Sequence, residues 1–124
     1  MITKLRPDEA VRLDHDRLEH LYMQLGPSGA EGVVARAMEE LAARLSKVER
    51  LYKRGELGEM QRAARSMIAI SEQIGMVTFA RVAEDVTRLS DSENSAALAA
   101  TVGRLIRIGE GSLMAVWDLQ DASI

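Results

Sequence analysis

The chain reads as an all-α protein: an antiparallel up-down-up-down four-helix bundle with an additional N-terminal helix. Three observations predict this. Apolar residues recur at helical rather than strand spacing almost from end to end, and the only two prolines, Pro7 and Pro27, sit where helices would begin. The connections between the later helices are short, which favours antiparallel neighbours. With 124 residues there is room for one domain, which on general size scaling buries roughly two-thirds of the surface of the unfolded chain. We assign residues 1–11 to an N-terminal tail and 12–120 to the bundle.

Leu18, Leu21, Tyr22 and Leu25 form an i, i+3, i+4, i+7 stripe, predicting a first helix over 12–25 that Gly26-Pro27 stops. Ser28-Gly29-Ala30-Glu31 has the S-x-x-E form of a capping box, so the long helix is expected to start there. Val34, Met38, Leu41, Leu45, Val48 and Tyr52 carry one face to Arg54, and Lys53-Arg54-Gly55 suits a helix C-terminus. A third helix begins around Glu56, buries Leu57, Met60, Ala64, Met67, Ser71 and Ile74, and ends at Gly75. Thr78 is the expected N-cap of a shorter helix carrying Phe79, Val82, Ala83, Val86 and Leu89, and Ser90-Asp91-Ser92 breaks the pattern. The last helix, about Glu93 to Leu119, packs Leu98, Val102, Leu105, Ile108, Leu113 and Val116. Glycines lower helix propensity by about 1 kcal/mol each, so fraying or a kink is expected near Gly109-Glu110-Gly111.

Composition narrows the function classes. There is no cysteine, so neither a disulfide framework nor a thiolate metal site is available. A net charge of −3 and 3% aromatic residues supply neither the basic field nor the stacking rings of a nucleic-acid binder. No stretch approaches the apolar length of a membrane span, and Lys4, Arg6, Asp8 and Glu9 do not read as a secretory signal. The expectation is a soluble cytoplasmic protein with neither nucleic acid nor membrane as partner.

The stretch Ala64-Arg65-Ser66-Met67-Ile68-Ala69, followed by Gly75, resembles the phospho-acceptor helix of histidine-containing phosphotransfer (HPt) domains. That family has a His, a Leu two residues on, then Lys and Gly, and a further Gly ten residues after the His. Counting back from Gly75 puts Arg65 at the acceptor position, Met67 at the Leu, Ile68 at the Lys and Ala69 at the Gly. The run Phe79-Ala80-Arg81-Val82-Ala83-Glu84-Asp85 is similar to the family's L-A-x-x-A-x-x-L-E stretch, with Val86 where an acidic residue would follow. The resemblance spans about residues 12–118, and it implies the HPt fold and a partner that is a receiver domain of a response regulator or a histidine kinase.

The departures from the family decide the chemistry. A guanidinium offers no nucleophilic nitrogen, so Arg65 is not a phospho-acceptor. Ile68 replaces the family's positive charge with an apolar side chain, and Ala69 still lets a partner approach closely. The resulting expectation is a bacterial, non-catalytic pseudo-HPt adaptor that docks through a stripe of Gln61, Arg62, Arg65, Ile68, Ala69 and Glu72, opposite the buried face. The competing expectation is a self-associating scaffold that uses the Ile68 stripe or an edge at Trp117.

Other constellations carry less. His15 and His20 are the only histidines and lie five residues apart on roughly opposite helix faces, so they cannot chelate one metal together. The pairs Glu39-Glu40, Glu84-Asp85 and Asp118-Asp121 fall mostly on outer faces and read as solvated charge. No Glu-x-x-His pair, phosphate-binding glycine loop or H-E-x-x-H motif occurs. No enzyme activity, cofactor or metal is expected.

Overall fold

A computed structural model describes residues 12–122, with side chains through Leu119; the tail assigned to 1–11 lies outside them. Among the described residues the chain is all-helical, with α1 over His15–Lys53, α2 over Leu57–Gln73, α3 over Val77–Leu89 and α4 over Ser95–Ala122. Successive helices pack on one another and α4 returns to α1, closing a ring around one core. None of the described helices is long and apolar enough to cross a membrane.

The helix expected over 12–25 breaks where Gly26-Pro27 was expected to stop it: two helical stretches, numbered together as α1, meet at a kink at Gly26, with φ 76° and ψ 166°. An L-residue rarely adopts that backbone, and glycine does so without steric cost. Pro27 then opens the second stretch, where its fixed φ suits a first helical position and its missing N–H costs nothing. The expected capping box is therefore corrected: Ser28 falls inside the first turn that Pro27 opens. The first stretch starts later than expected, at His15, with Asp14 Oδ1 accepting from Arg17 N–H at 3.2 Å.

Residues 12–14 are an extended strap laid on the α2–α3 turn. Leu13 forms an antiparallel bridge with Met76, and Asp14 N–H donates to the Gly75 carbonyl at 2.7 Å. Arg12 N–H donates to Thr78 Oγ1 at 3.3 Å. This corrects the expected role of Thr78, since Met76 occupies the N-cap position of α3 and Thr78 is buried under the strap. Gly75 has φ +80°, and a Cβ there would sit 2.7 Å from the Asp14 carbonyl oxygen.

The ends of α1 and α2 repeat one device. Gly55 N–H donates to the Tyr52 carbonyl and Glu56 N–H to that of Leu51; Gly75 N–H donates to Glu72 and Met76 N–H to Ser71. Both are Schellman closures, in which a glycine at positive φ lets two orphan carbonyls be satisfied.

Leu41, Val48, Met60, Met67, Phe79, Val82, Leu105 and Val116 are essentially inaccessible, so all four helices feed the core. The expected kink at Gly109-Glu110-Gly111 is absent, and α4 runs unbroken through it. Gly109 is buried, and a Cβ there would lie 2.7 Å from Leu45 Cδ2 and 2.8 Å from Phe79 Cε1. It lets the backbone of α4 approach side chains of α1 and α3. Asn94 caps α4, accepting from Ala97 N–H through Oδ1 at 2.9 Å. Ser71 Oγ is satisfied within its own helix by the Met67 and Ile68 carbonyls; Ser112 Oγ is buried with no partner among the described residues.

Candidate functional site

At about 100° per residue, α2 turns Met60, Ala63, Ala64, Met67 and Ser71 to the core, which leaves Arg65 and Ala69 on the far side. Of the six residues assigned to the docking stripe, Arg62, Arg65, Ala69 and Glu72 are exposed. The side chains of Arg62 and Arg65 make no hydrogen bond or ion pair among the described residues.

Gln61 and Ile68 depart from the expectation. Both are half-buried at the edge of α2 that α3 covers, and Ile68 packs against the core. Gln61 Nε2 donates to the Thr87 carbonyl at 2.8 Å, satisfying a group in the last turn of α3. The exposed stripe is thus narrower than its sequence spacing suggests. Its apolar member helps to hold the bundle together.

The opposite flank of α2 is fixed against α1 by a polar relay. Arg44 donates through Nε to Ser66 Oγ at 3.0 Å and through a terminal nitrogen to Glu40 Oε1 at 3.1 Å, while Ser66 Oγ donates to the Ala63 carbonyl. With Gln61 on one edge and Ser66 on the other, the rotation of α2 about its axis is fixed. The outward face around Arg65 is consequently a rigid surface, able to present two cationic forks and a small residue to a partner. Ser66, the hydroxyl next to Arg65, is engaged in the relay.

His15 and His20 are exposed on the first stretch of α1, a different helix from the one that carries Arg65. His15 shares a cavity of about 410 Å³ with Leu18, Glu19, Tyr22, Val34 and Val116. Among the described residues no group of three or more His, Asp or Glu is placed to hold a metal ion; Asp121 lies outside the described side chains. Trp117 is 61% exposed, as is Met114, and Trp117 borders a shallow groove with Met38 and Leu113.

Sequence reasoning missed one feature. Between α1 and the end of α2 lies a groove of about 460 Å³ lined by Gly29, Gly32, Val33, Ala37 and Ile70 together with the polar Arg36, Glu40 and Gln73. The recurring signal was Gly29-x-x-Gly32-x-x-x-Arg36, small residues and a cation on one helix face, which gains meaning only once α2 is placed beside it. No family model matches the chain, and comparison with curated proteins and with solved structures returns no match.

Proposed function

We propose that the protein is a non-catalytic, HPt-like interaction module of bacterial two-component signalling. It works in the cytoplasm, docking a receiver domain or a histidine kinase without accepting a phosphoryl group. In this reading the helices run up-down-up-down, with the first stretch of α1 packed across the bundle as the additional N-terminal helix. The observation that carries the proposal is the outward face of α2, where Arg65 and Ala69 lie exposed at the positions of the family's acceptor and glycine. Arg65 takes the acceptor's place as a permanent donor fork toward carboxylates or a phosphoryl group.

The test compares wild type with Arg65→Glu/Ala69→Asp as baits in lysate of the source organism, with bound proteins identified by mass spectrometry. Both changes lie on the exposed face and leave the half-buried Ile68 in place. Capture of a receiver or kinase by wild type alone is the expected result; identical catches overturn the proposal. A complementary variant, Arg65→His/Ile68→Lys, is expected to accept a phosphoryl group from a phosphorylated receiver, the lysine extending from the half-buried edge to solvent.

The scaffold reading is favoured by one observation, the exposure of Trp117 and Met114 side by side on α4. Stable interfaces bury about 800 Å² on each partner, so the contact would have to extend over Met38 and Leu113. Sedimentation of wild type and Trp117→Glu separates the two readings: a dimer lost in the variant selects the scaffold.

A further inference from the structure

The second stretch of α1 turns several of its cations toward α2. Glu39 lies on the α4 side, in the groove with Leu113 and Trp117, and helical phase puts Glu31 and Glu49 on that side too. The cations lie toward α2: Arg36 at the groove with Ile70 and Gln73, and Arg44 bonded to Ser66. Lys47 follows Arg36 by eleven residues and Arg54 follows Lys47 by seven, so the three share one line, on which Glu40 also falls, while Arg50, eleven residues after Glu39, points further outward on that acid's line. Lys53 is the exception, paired with Glu49 at 3.7 Å. Arg62 extends the basic face onto α2. The acids nearby are the exposed Glu39, on the line of Arg50, Glu40, held by Arg44, and the exposed Glu59. Arg36, Lys47, Arg50, Arg54 and Arg62 are exposed, and their side chains make no hydrogen bond or ion pair among the described residues. A chain of net charge −3 thus presents five such cations on one face.

The groove lies at the Arg36 end of this line. It is open because Gly29 and Gly32 carry no side chains: a Cβ on Gly32 would meet nothing within 4 Å, and one on Gly29 would meet only Leu25 Cβ, at 3.1 Å. Leu25, 48% exposed, therefore borders the groove with an apolar edge. A recess floored by small and aliphatic residues, with polar groups at its rim, followed by a row of cations has a definite complement.

We infer that the α1/α2 face binds an acidic amphipathic helix of a partner protein, which seats an apolar side chain in the Gly29/Gly32 groove and lays carboxylates along Arg36, Lys47, Arg50, Arg54 and Arg62. Arg36 and Arg54 are eighteen residues apart, which at the usual rise is about 27 Å, or five turns of a partner helix. A helix fits better than an extended peptide, because a helical face offers no unpaired backbone edge for strand addition. Duplex nucleic acid is disfavoured by the net negative charge of the whole body and by the lack of an aromatic side chain on this face. A lipid surface would need a row of large apolar side chains along the face, where Leu25 stands alone at one end. The inference does not rest on the α2 docking reading, with which it shares only Arg62.

The test uses the full chain labelled with ¹⁵N and a synthetic helical peptide of about 20 residues, bearing glutamates at i, i+4, i+7 and i+11 with one leucine beyond the first. A scrambled peptide of the same composition, a DNA duplex and phosphatidylserine vesicles serve as comparisons. Amide shifts are expected at Gly29, Gly32, Arg36, Lys47, Arg50, Arg62 and Ile70. Affinity is expected to fall at least ~10-fold with Arg36→Glu/Lys47→Glu, and also with Gly32→Met, which fills the groove from an open site and keeps the thermal stability of wild type. Shifts centred on Arg65 and Glu72 or on Trp117 overturn the inference. So do equal binding of the scramble, tighter binding of duplex or vesicles, unchanged affinity in both variants, or no binding at ~0.5 mM peptide.

Discussion

Gly75 and Gly55 close their helices by the same hydrogen-bond pattern, at φ +80° and +73°, so replacing each by alanine separates backbone strain from tertiary contact. At Gly55 an added Cβ meets nothing within 4 Å. The change therefore costs only the left-handed conformation, about 1 kcal/mol after the smaller loss of unfolded-state entropy is credited. At Gly75 the same cost applies, and the Cβ also lands 2.7 Å from the Asp14 carbonyl oxygen, a backbone atom that moves only if the strap lifts. Lifting it forfeits the Asp14–Gly75 hydrogen bond, worth about 1 kcal/mol net, and the packing of the half-buried Leu13, of the same order. Gly75→Ala is thus expected to cost about 3 kcal/mol and Gly55→Ala about 1. For a chain of this size these correspond to falls in Tm of roughly 10 and 3 °C. Urea unfolding followed by circular dichroism at two protein concentrations measures both. Equal destabilisation of the two variants would refute the reasoning, because it would mean that the strap contributes nothing at Gly75.

Five further substitutions are tested by the same assay. Gly109→Ala is expected to destabilise by about 1 kcal/mol, crowding against Leu45 and Phe79 outweighing the gain in helix propensity. Gly103→Ala, whose nearest neighbour is the flexible end of Arg107 at 3.6 Å, is expected to stabilise by up to about 1 kcal/mol; the same sign for both changes would contradict the packing at Gly109. Ser112→Ala removes a buried hydroxyl that has no partner among the described residues and is expected to be neutral or to stabilise by about 1 kcal/mol, whereas a clear loss would reveal a bond to that oxygen. Gln61→Ala is expected to lose about 1 kcal/mol with its bond to Thr87, while Arg65→Ala stays within about 0.5 kcal/mol of wild type because it touches no structural partner.

The helices were legible because buried residues recur at i, i+3, i+4 and i+7, a pattern that survives without knowledge of the neighbours. Their starts were less legible. Ser28 and Thr78 both looked like caps, but Pro27 had already opened one helix, and the Thr78 hydroxyl is used by a backbone group 66 residues away. The α2 stripe shows the same limit. Helical phase put Ile68 outside the central buried strip, and only the placement of α3 shows that this edge is covered. Gly109 read as a weak point within a helix, because nothing local tells of Leu45 and Phe79 closing on it. The cations of α1 were visible as residues, but the turning of several toward one side means something only after α2 and α4 take their places on either flank.

The strap on Gly75 also bears on the order in which the molecule assembles. α2 and α3 are joined by a short turn and meet through local contacts, which form early because little chain entropy is lost in closing them. Asp14 must find Gly75 across some sixty residues of chain, and the residues from Leu13 to Leu25 bring no fully buried side chain to reward it. The segment is therefore expected to dock last and to detach first. Its detachment would bare the cavity walls at Val34 and Val116 while the ring of helices beneath still stands.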